Sequence, residues 1–279
     1  MALYQLGIYE KAFPPSYSWQ EKFMVSKKLG FDYIEISIDE TDEKLSRLDM
    51  SYEKRQELFL LSKKEKMPIS TLCLSAHRKY PLGSNIAAIE AKSLEIIEKA
   101  INFAVDLGIR IIQLAGYDVY YEEGSERTKK RFRNNLELAV RMAAAKGVML
   151  GFETMETSFM NTVAKAMIYV TDIHSPWLQI YPDLGNLTNA AHGIWEKVAE
   201  DIKTGANALV AMHLKETKPG VFREMDFGTG YVNFEAGITT AWKYGVRRFT
   251  LECWYTDDIS WFEKLADAKN FFATLLDGQ

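Results

Sequence analysis

Eight times along the chain, a short apolar run rich in β-branched and aromatic residues gives way to a longer amphipathic run. The strand-like runs are LGIYE from Leu6, YIEISI from Tyr33, ISTLCLS from Ile69 and IIQLAGY from Ile111, then MLGFET from Met149, LQIYPD from Leu178, LVAMHLK from Leu209 and FTLECW from Phe249. Near-continuous apolar runs suit parallel strands that are covered on both faces. Helical patterns over residues 18–29, 86–107, 127–145 and 234–244 stop at or just before Gly30, Gly108, Gly147 and Gly245. Glycine fits such an exit because the chain leaves the helix in a left-handed conformation. Strands that alternate with helices imply a parallel sheet with helical crossovers. Eight such units in 279 residues match a closed (β/α)8 barrel, whose usual size is about 250 residues. An open doubly wound sheet is the alternative, but no Gly-rich dinucleotide fingerprint follows the first strand. We therefore expect an α/β protein with a single TIM-barrel catalytic domain over residues 1–279.

Composition narrows the class further. With 47% apolar residues the chain can build a substantial core, which excludes intrinsic disorder. Its net charge of −4 offers no general attraction for a phosphodiester backbone, so no nucleic-acid partner is expected. Charged residues interrupt every apolar stretch well short of a bilayer span, so no membrane partner is expected either. The N-terminal MALYQLGIYEK lacks a basic n-region and an apolar h-region and reads as the first strand. Two cysteines, Cys73 and Cys253, make no disulfide framework and fit a reducing cytoplasm.

In a barrel of this kind, active sites form at the C-terminal ends of the strands. Four late strands each end in a group able to bind a metal: Glu153 in LGFET, Asp183 in IYPDLGN, His213 in AMHLKE and Glu252 in TLECW. Each lies in apolar sequence, where an ionised side chain is costly unless paired or coordinated. Any one of them alone has an ordinary structural reading, as a helix cap, a salt-bridge partner or a hydrogen-bonded core histidine. Four at the same level on consecutive strands are hard to explain that way. Three carboxylates and one imidazole, without thiolates, suit one divalent metal ion: Mn, Mg, Co or Zn. Cys253 should point away from Glu252 by strand alternation, and Cys73 should pack in the core. The Gly228-Thr229-Gly230 segment reads as a tight turn into a helix, and the charged stretch from Asp39 to Met50 as a loop, solvated or covering the site.

The chain resembles the L-ribulose-5-phosphate (L-xylulose-5-phosphate) 3-epimerases of the xylose-isomerase-like TIM-barrel superfamily over nearly its whole length. The segments LGIYEKA, DETDEKLSRLDM, LCLSAHRKYPLGS, IQLAGYDVYY, IYPDLGN and HLKETKPGVF carry the resemblance. Glu156 departs from the expected pattern. The resemblance implies Glu153, Asp183, His213 and Glu252 as metal ligands, the four already singled out. It also implies Glu153 and Glu252 as the catalytic pair, taking a proton from C3 of a ketopentose phosphate on one face and returning one on the other. The phosphate then calls for donors at the edge of the site, for which the candidates are Ser75, His77, Arg78, Lys215 and Lys218. Bacterial use of L-ascorbate or related pentoses is the implied setting, with a homodimer as an assembly to consider.

Three rivals remain at this stage. One is an aldose–ketose isomerase or a 3-epimerase of another sugar or sugar phosphate. Another is a DNA-repair endonuclease, which needs several metals and more ligands than four histidines allow. The last is a non-catalytic sugar-phosphate sensor, which has no need of an opposed acid–base pair.

Overall fold

All eight apolar runs become parallel strands. In the computed structural model, which describes residues 3–279, these are β1 (Gln5–Tyr9), β2 (Tyr33–Ile38), β3 (Ile69–Leu74), β4 (Ile111–Ala115), β5 (Met149–Glu153), β6 (Leu178–Ile180), β7 (Met212–Leu214) and β8 (Arg248–Leu251). Their order around the sheet is β6-β5-β4-β3-β2-β1-β8-β7. The two end strands meet through parallel bridges between Ile180 and Leu209 and between Asp183 and His213. There the Val210 N–H donates to the Ile180 carbonyl at 3.0 Å, and the His213 N–H to the Pro182 carbonyl at 2.9 Å. Those bonds close the barrel, and they also set Asp183 beside His213.

The helices are α1 (Trp19–Leu29), α2 (Asp42–Leu45), α3 (Tyr52–Glu65), α4 (Ala87–Asp106), α5 (Glu126–Lys146), α6 (Val163–Ile173), α7 (Leu184–Ala190), α8 (Trp195–Thr204), α9 (Phe234–Lys243) and α10 (Trp261–Asp277). Ser18 starts α1 with a capping box completed by Glu21. The four helix-ending glycines have φ of 78°, 75°, 66° and 93°, as the left-handed exit requires. Among the described residues, no helix is long and apolar enough to cross a membrane.

Alternation along β2 divides the barrel into two environments. Ile34, Ile36 and Ile38 join the apolar layer under the helices. Tyr33 and Glu35 point inward, where the filling is polar rather than the usual branched aliphatic side chains. The Tyr33 hydroxyl reaches Thr250 Oγ1 at 2.7 Å, and the Tyr181 hydroxyl bonds to Thr250 Oγ1 and, at 3.0 Å, to Glu35. Room for Tyr33 comes from Gly7 on β1, where an added Cβ would lie 2.3 Å from the ring.

The stretch from Asp39 to Met50 is not a simple loop. It folds into α2, capped by Thr41, and a 3-10 turn over Ser46–Asp49. The cause is Glu10, buried just after β1. Its carboxylate receives Arg47 at 2.6 Å, Lys44 at 2.9 Å and Lys22 at 3.5 Å, with a further bond from the Ser37 N–H at 2.9 Å. Burial opposes the charge on Glu10, but the three cations overcome it and hold the carboxyl down at about 2.

A carboxylate whose folded-state value is depressed adds stability above its unfolded value of about 4.5 and loses it as pH falls toward 2. Glu10→Gln is expected to cost about 3 kcal/mol at pH 7 and to flatten the acid limb of stability against pH. Urea unfolding at a series of pH values reads both effects. Gly7→Ala is expected to cost about 1–3 kcal/mol through overpacking against Tyr33, by the same assay.

Candidate metal centre and catalytic cavity

Glu153 ends β5, Asp183 follows β6 and caps α7, His213 lies in the middle of β7, and Glu252 follows β8. Parallel pairing puts these positions at one rim, and one ligand atom from each lies within 4.8 Å of the others. All four are buried. His213 Nδ1 is 2.9 Å from Glu252 Oε2 and 3.9 Å from both Glu153 Oε1 and Asp183 Oδ2. Asp183 uses Oδ1 to accept the Asn186 N–H at 2.6 Å, as an N-cap does, while Oδ2 is buried with no hydrogen-bond partner.

The charges do not balance. Glu35, Glu153, Asp183 and Glu252 share this space with two cationic side chains, His213 and Lys215. Burial, with the charge of Glu252 added, pushes the Glu153 carboxyl up to about 8. Burial likewise pushes Asp183 up to about 7, against the pull of Lys215. Glu252 goes the other way: Lys215 and His213 overcome its burial and hold it well below the usual carboxylate range. His213 is raised far above an ordinary histidine, because Glu35 and Glu252 outweigh its burial. Protons thus relieve part of the crowding, a relief that a divalent cation would supply better. The donors are three carboxylates and one imidazole, and an orphaned carboxylate oxygen lies among them, so the residues fit such an ion.

Above the cluster is a cavity of about 200 Å³ whose lining includes Glu153, Glu252, Ser75, Arg78, Asn186 and Lys215. Of the five residues read as phosphate donors, only Ser75 and Arg78 lie on its wall away from the cluster. Arg78 stacks over the rings of Tyr117 and Tyr120, and its guanidinium reaches the Tyr117 hydroxyl at 3.3 Å. Lys215 also lines the cavity, but its ammonium is among the carboxylates, 3.3 Å from Asp183 and 3.5 Å from Glu252. His77 turns the other way: its Nε2 is 3.2 Å from the Ser93 carbonyl on α4, and burial lowers its value to about 4, leaving a neutral ring. Lys218 is exposed on a turn where its backbone pairs with Val221, outside the cavity lining.

Other contributors were not singled out from sequence. Glu35 and Gln113 approach His213 from below, at 2.6 Å from Nε2 and 3.0 Å from Nδ1. Each is a polar residue facing inward from an otherwise apolar strand, and that was the available signal. Glu156 gathers Tyr117 at 2.7 Å, Arg223 at 3.8 Å and Arg78 at 3.9 Å. Cys73 is buried as expected, yet it also lines the cavity, where burial and the nearby Glu153 push its thiol up and disfavour a thiolate ligand. Cys253 faces a different cavity from Glu252, as strand alternation implies.

Residues 23–274 match the family described as xylose isomerase-like TIM barrel, and the chain belongs to that family. Within it, the chain is 46% identical over 251 residues to "L-ribulose-5-phosphate 3-epimerase UlaE" of Escherichia coli (strain SMS-3-5 / SECEC), a match covering 89% of this chain and 87% of that one. It is thus a member of the L-ribulose-5-phosphate 3-epimerase family and an isomerase. Two solved structures share its fold at low identity. One, an L-ribulose 3-epimerase, has a TM-score of 0.80 at 18% identity, covering all of this chain and 95% of the other. The other, the D-psicose 3-epimerase of Clostridium cellulolyticum H10 with D-tagatose, has a TM-score of 0.81 at 16%, covering 98% of this chain and 99% of that one.

Two measurements follow from the electrostatics. Carboxyls raised in the folded state, together with a raised His213, add stability below their unfolded values and lose it as pH rises through their folded ones. Metal-stripped protein is therefore expected to lose stability from about pH 4.5 to 8, and Glu153→Gln to flatten that slope in urea unfolding. Adding Mn²⁺ at about 100 times its Kd should stabilise the wild type by about 2.7 kcal/mol, reversibly with EDTA. Asp183→Asn should remove most of that gain in the same urea unfolding assay.

Proposed function

We propose that the chain interconverts L-ribulose 5-phosphate and L-xylulose 5-phosphate by inverting C3, with one divalent metal ion as cofactor. The observation that carries this reading is the placement of Glu153, at the end of β5, and Glu252, just after β8, in the wall of one cavity, with Asp183 and His213 completing the cluster behind them. A relative named L-ribulose-5-phosphate 3-epimerase, 46% identical to this chain, supports the choice of substrate.

Epimerisation at C3 breaks a C–H bond α to a ketone and remakes it on the opposite face. In this reading one carboxylate takes the C3 proton, giving an enediolate, and the other delivers a proton to the far side; the roles exchange in the reverse direction. Glu153, Asp183, His213 and Glu252 would hold the metal, which when bound supplies Lewis-acid stabilisation of the negative charge developing on O2 and O3. Mn, Mg, Co and Zn all suit this donor set. Each glutamate has two carboxylate oxygens, so it could hold the metal and still exchange the C3 proton. Lys215, buried between Asp183 and Glu252, keeps Glu252 ionised. Ser75 and Arg78 would receive the phosphate at the cavity wall, with the planar guanidinium of Arg78 already ordered on Tyr117 and Tyr120.

The same reading takes residues 1–279 as one catalytic domain in a reducing cytoplasm, where Cys73 and Cys253 stay as free thiols. It extends to bacterial use of L-ascorbate or related pentoses as the setting, and to a homodimer as the assembly.

The test is C3 epimerisation of L-ribulose 5-phosphate followed by NMR in D₂O, with metal content measured in every sample. Wild type loaded with Mn²⁺ is expected to turn over and to incorporate deuterium at C3. Glu153→Gln and Glu252→Gln are each expected to lose about 10²–10⁴-fold in kcat. Full turnover by verified metal-free protein would refute the mechanism. Metal-bound protein inert toward the phosphate but active on free L-ribulose would move the substrate to the unphosphorylated ketose.

A further inference from the structure

Beneath the catalytic cavity, the polar filling of the barrel converges on Glu35 in the middle of β2. The residue is fully buried, and among the described residues its only charged partner is His213. Its two oxygens have separate tasks. Oε1 lies 2.6 Å from His213 Nε2. Oε2 accepts the Thr71 hydroxyl at 2.7 Å and the Tyr181 hydroxyl at 3.0 Å. Tyr181 also bonds to Thr250 Oγ1, to which Tyr33 bonds in turn, so β2, β3 and β8 and the residue after β6 all hold this carboxylate. A buried carboxylate in so dry a place is costly to keep, and a well-packed apolar residue there would often be as stable or more so.

A histidine binds a metal through one ring nitrogen, and the hydrogen bond made by the other nitrogen decides which one. We propose that Glu35 is the positioning residue of the metal centre: it holds the Nε2–H of His213 and so presents Nδ1 to the three carboxylates. The inference rests on the reading of the cluster as a metal site. Geometry supports it independently of any ion, since Nδ1 is the nitrogen placed within 3.9 Å of Glu153, Asp183 and Glu252. With Thr71 and Tyr181 occupying Oε2, the oxygen facing the imidazole has no other donor.

The test is calorimetric titration of metal-stripped protein with Mn²⁺. Glu35→Gln keeps the size of the side chain and removes its charge, and is expected to raise Kd by about 10–100-fold. Thr71→Ala and Tyr181→Phe loosen Glu35 without removing its charge and are expected to raise Kd several-fold, so the answer does not depend on one variant folding. Tyr33→Phe cuts bonds to Thr250 and to the Phe249 carbonyl, two steps from Glu35, and is expected to lower Tm while leaving Kd within twofold. A merely structural network would lower Tm in all four variants with Kd unchanged, and that result overturns the proposal. Failure of the wild type to bind Mn²⁺ overturns the metal reading and this inference together. Binding by wild type with unaltered affinity in Glu35→Gln overturns this inference alone.

Discussion

The structure depends on an electrostatic imbalance buried at the base of a cavity. Four carboxylates and two cations occupy the upper barrel, and in a low-dielectric interior like charges at this spacing cannot all remain ionised. The opposite displacements of Glu153 and Glu252 are the consequence. Both belong to the same cluster, yet His213 bonds Glu252 at 2.9 Å and stays 3.9 Å from Glu153 and Asp183, and Lys215 adds its charge beside Glu252, so the cost of crowding falls on Glu153 and Asp183. A cluster that must take up protons to exist without metal is poised to exchange them for a cation.

The closure of the barrel serves the same end. β6 and β7 are the shortest strands and meet only through isolated bridges, one of them between Asp183 and His213. Regular pairing at that seam would be stronger, but it would extend β6 through Pro182 and Asp183. Instead the chain turns at Asp183, whose Oδ1 caps α7 and whose Oδ2 is left for the cluster. One residue after the strand thus starts a helix and turns a free oxygen into the cluster, and the weak seam is the price of the site.

Much of this was legible in the sequence, for a definite reason. The four cluster residues sit at the ends of apolar runs, and in a parallel barrel the ends of consecutive strands share a rim, so their order along the chain already implied proximity. The helix-ending glycines were equally readable, because a left-handed residue has few alternatives. What could not be read was side-chain direction past a strand end. Ser75–Arg78 forms a 3-10 turn, so neighbours in sequence face different ways: Arg78 meets the cavity and His77 is buried against α4. Lys215 and Lys218 differ in the same way, one folded back among the carboxylates and the other carried out on a turn. Glu10 and Glu35 were passed over because a single acidic residue at or inside a strand has no distinctive spacing. Their roles come from partners 12 to 178 residues away in the chain: Lys22, Lys44 and Arg47 for Glu10, and Thr71, Tyr181 and His213 for Glu35.

The same contrast separates what the fold shares from what it specialises. Ketose epimerases at 16–18% identity superpose over nearly the whole chain, so the barrel scaffold tolerates extensive replacement. The cavity wall is built from loops that follow β3, β4, β5 and β7. Arg78, Tyr117, Glu156 and Arg223 each come from a different one of these loops and meet around a single carboxylate. The two guanidinium groups approach Glu156 only to 3.9 and 3.8 Å, whereas the Tyr117 hydroxyl binds it at 2.7 Å. Pairs that loose and partly solvated contribute little to stability. Such loose pairing leaves guanidinium donors of Arg78 and Arg223 uncommitted, while Glu156 and the tyrosines fix where Arg78 lies. A rigid, strongly charged floor with a loosely paired cationic wall separates the two demands of the proposed reaction. In that reading the floor would hold the reacting carbon against the acid–base pair, and the wall would take the phosphate.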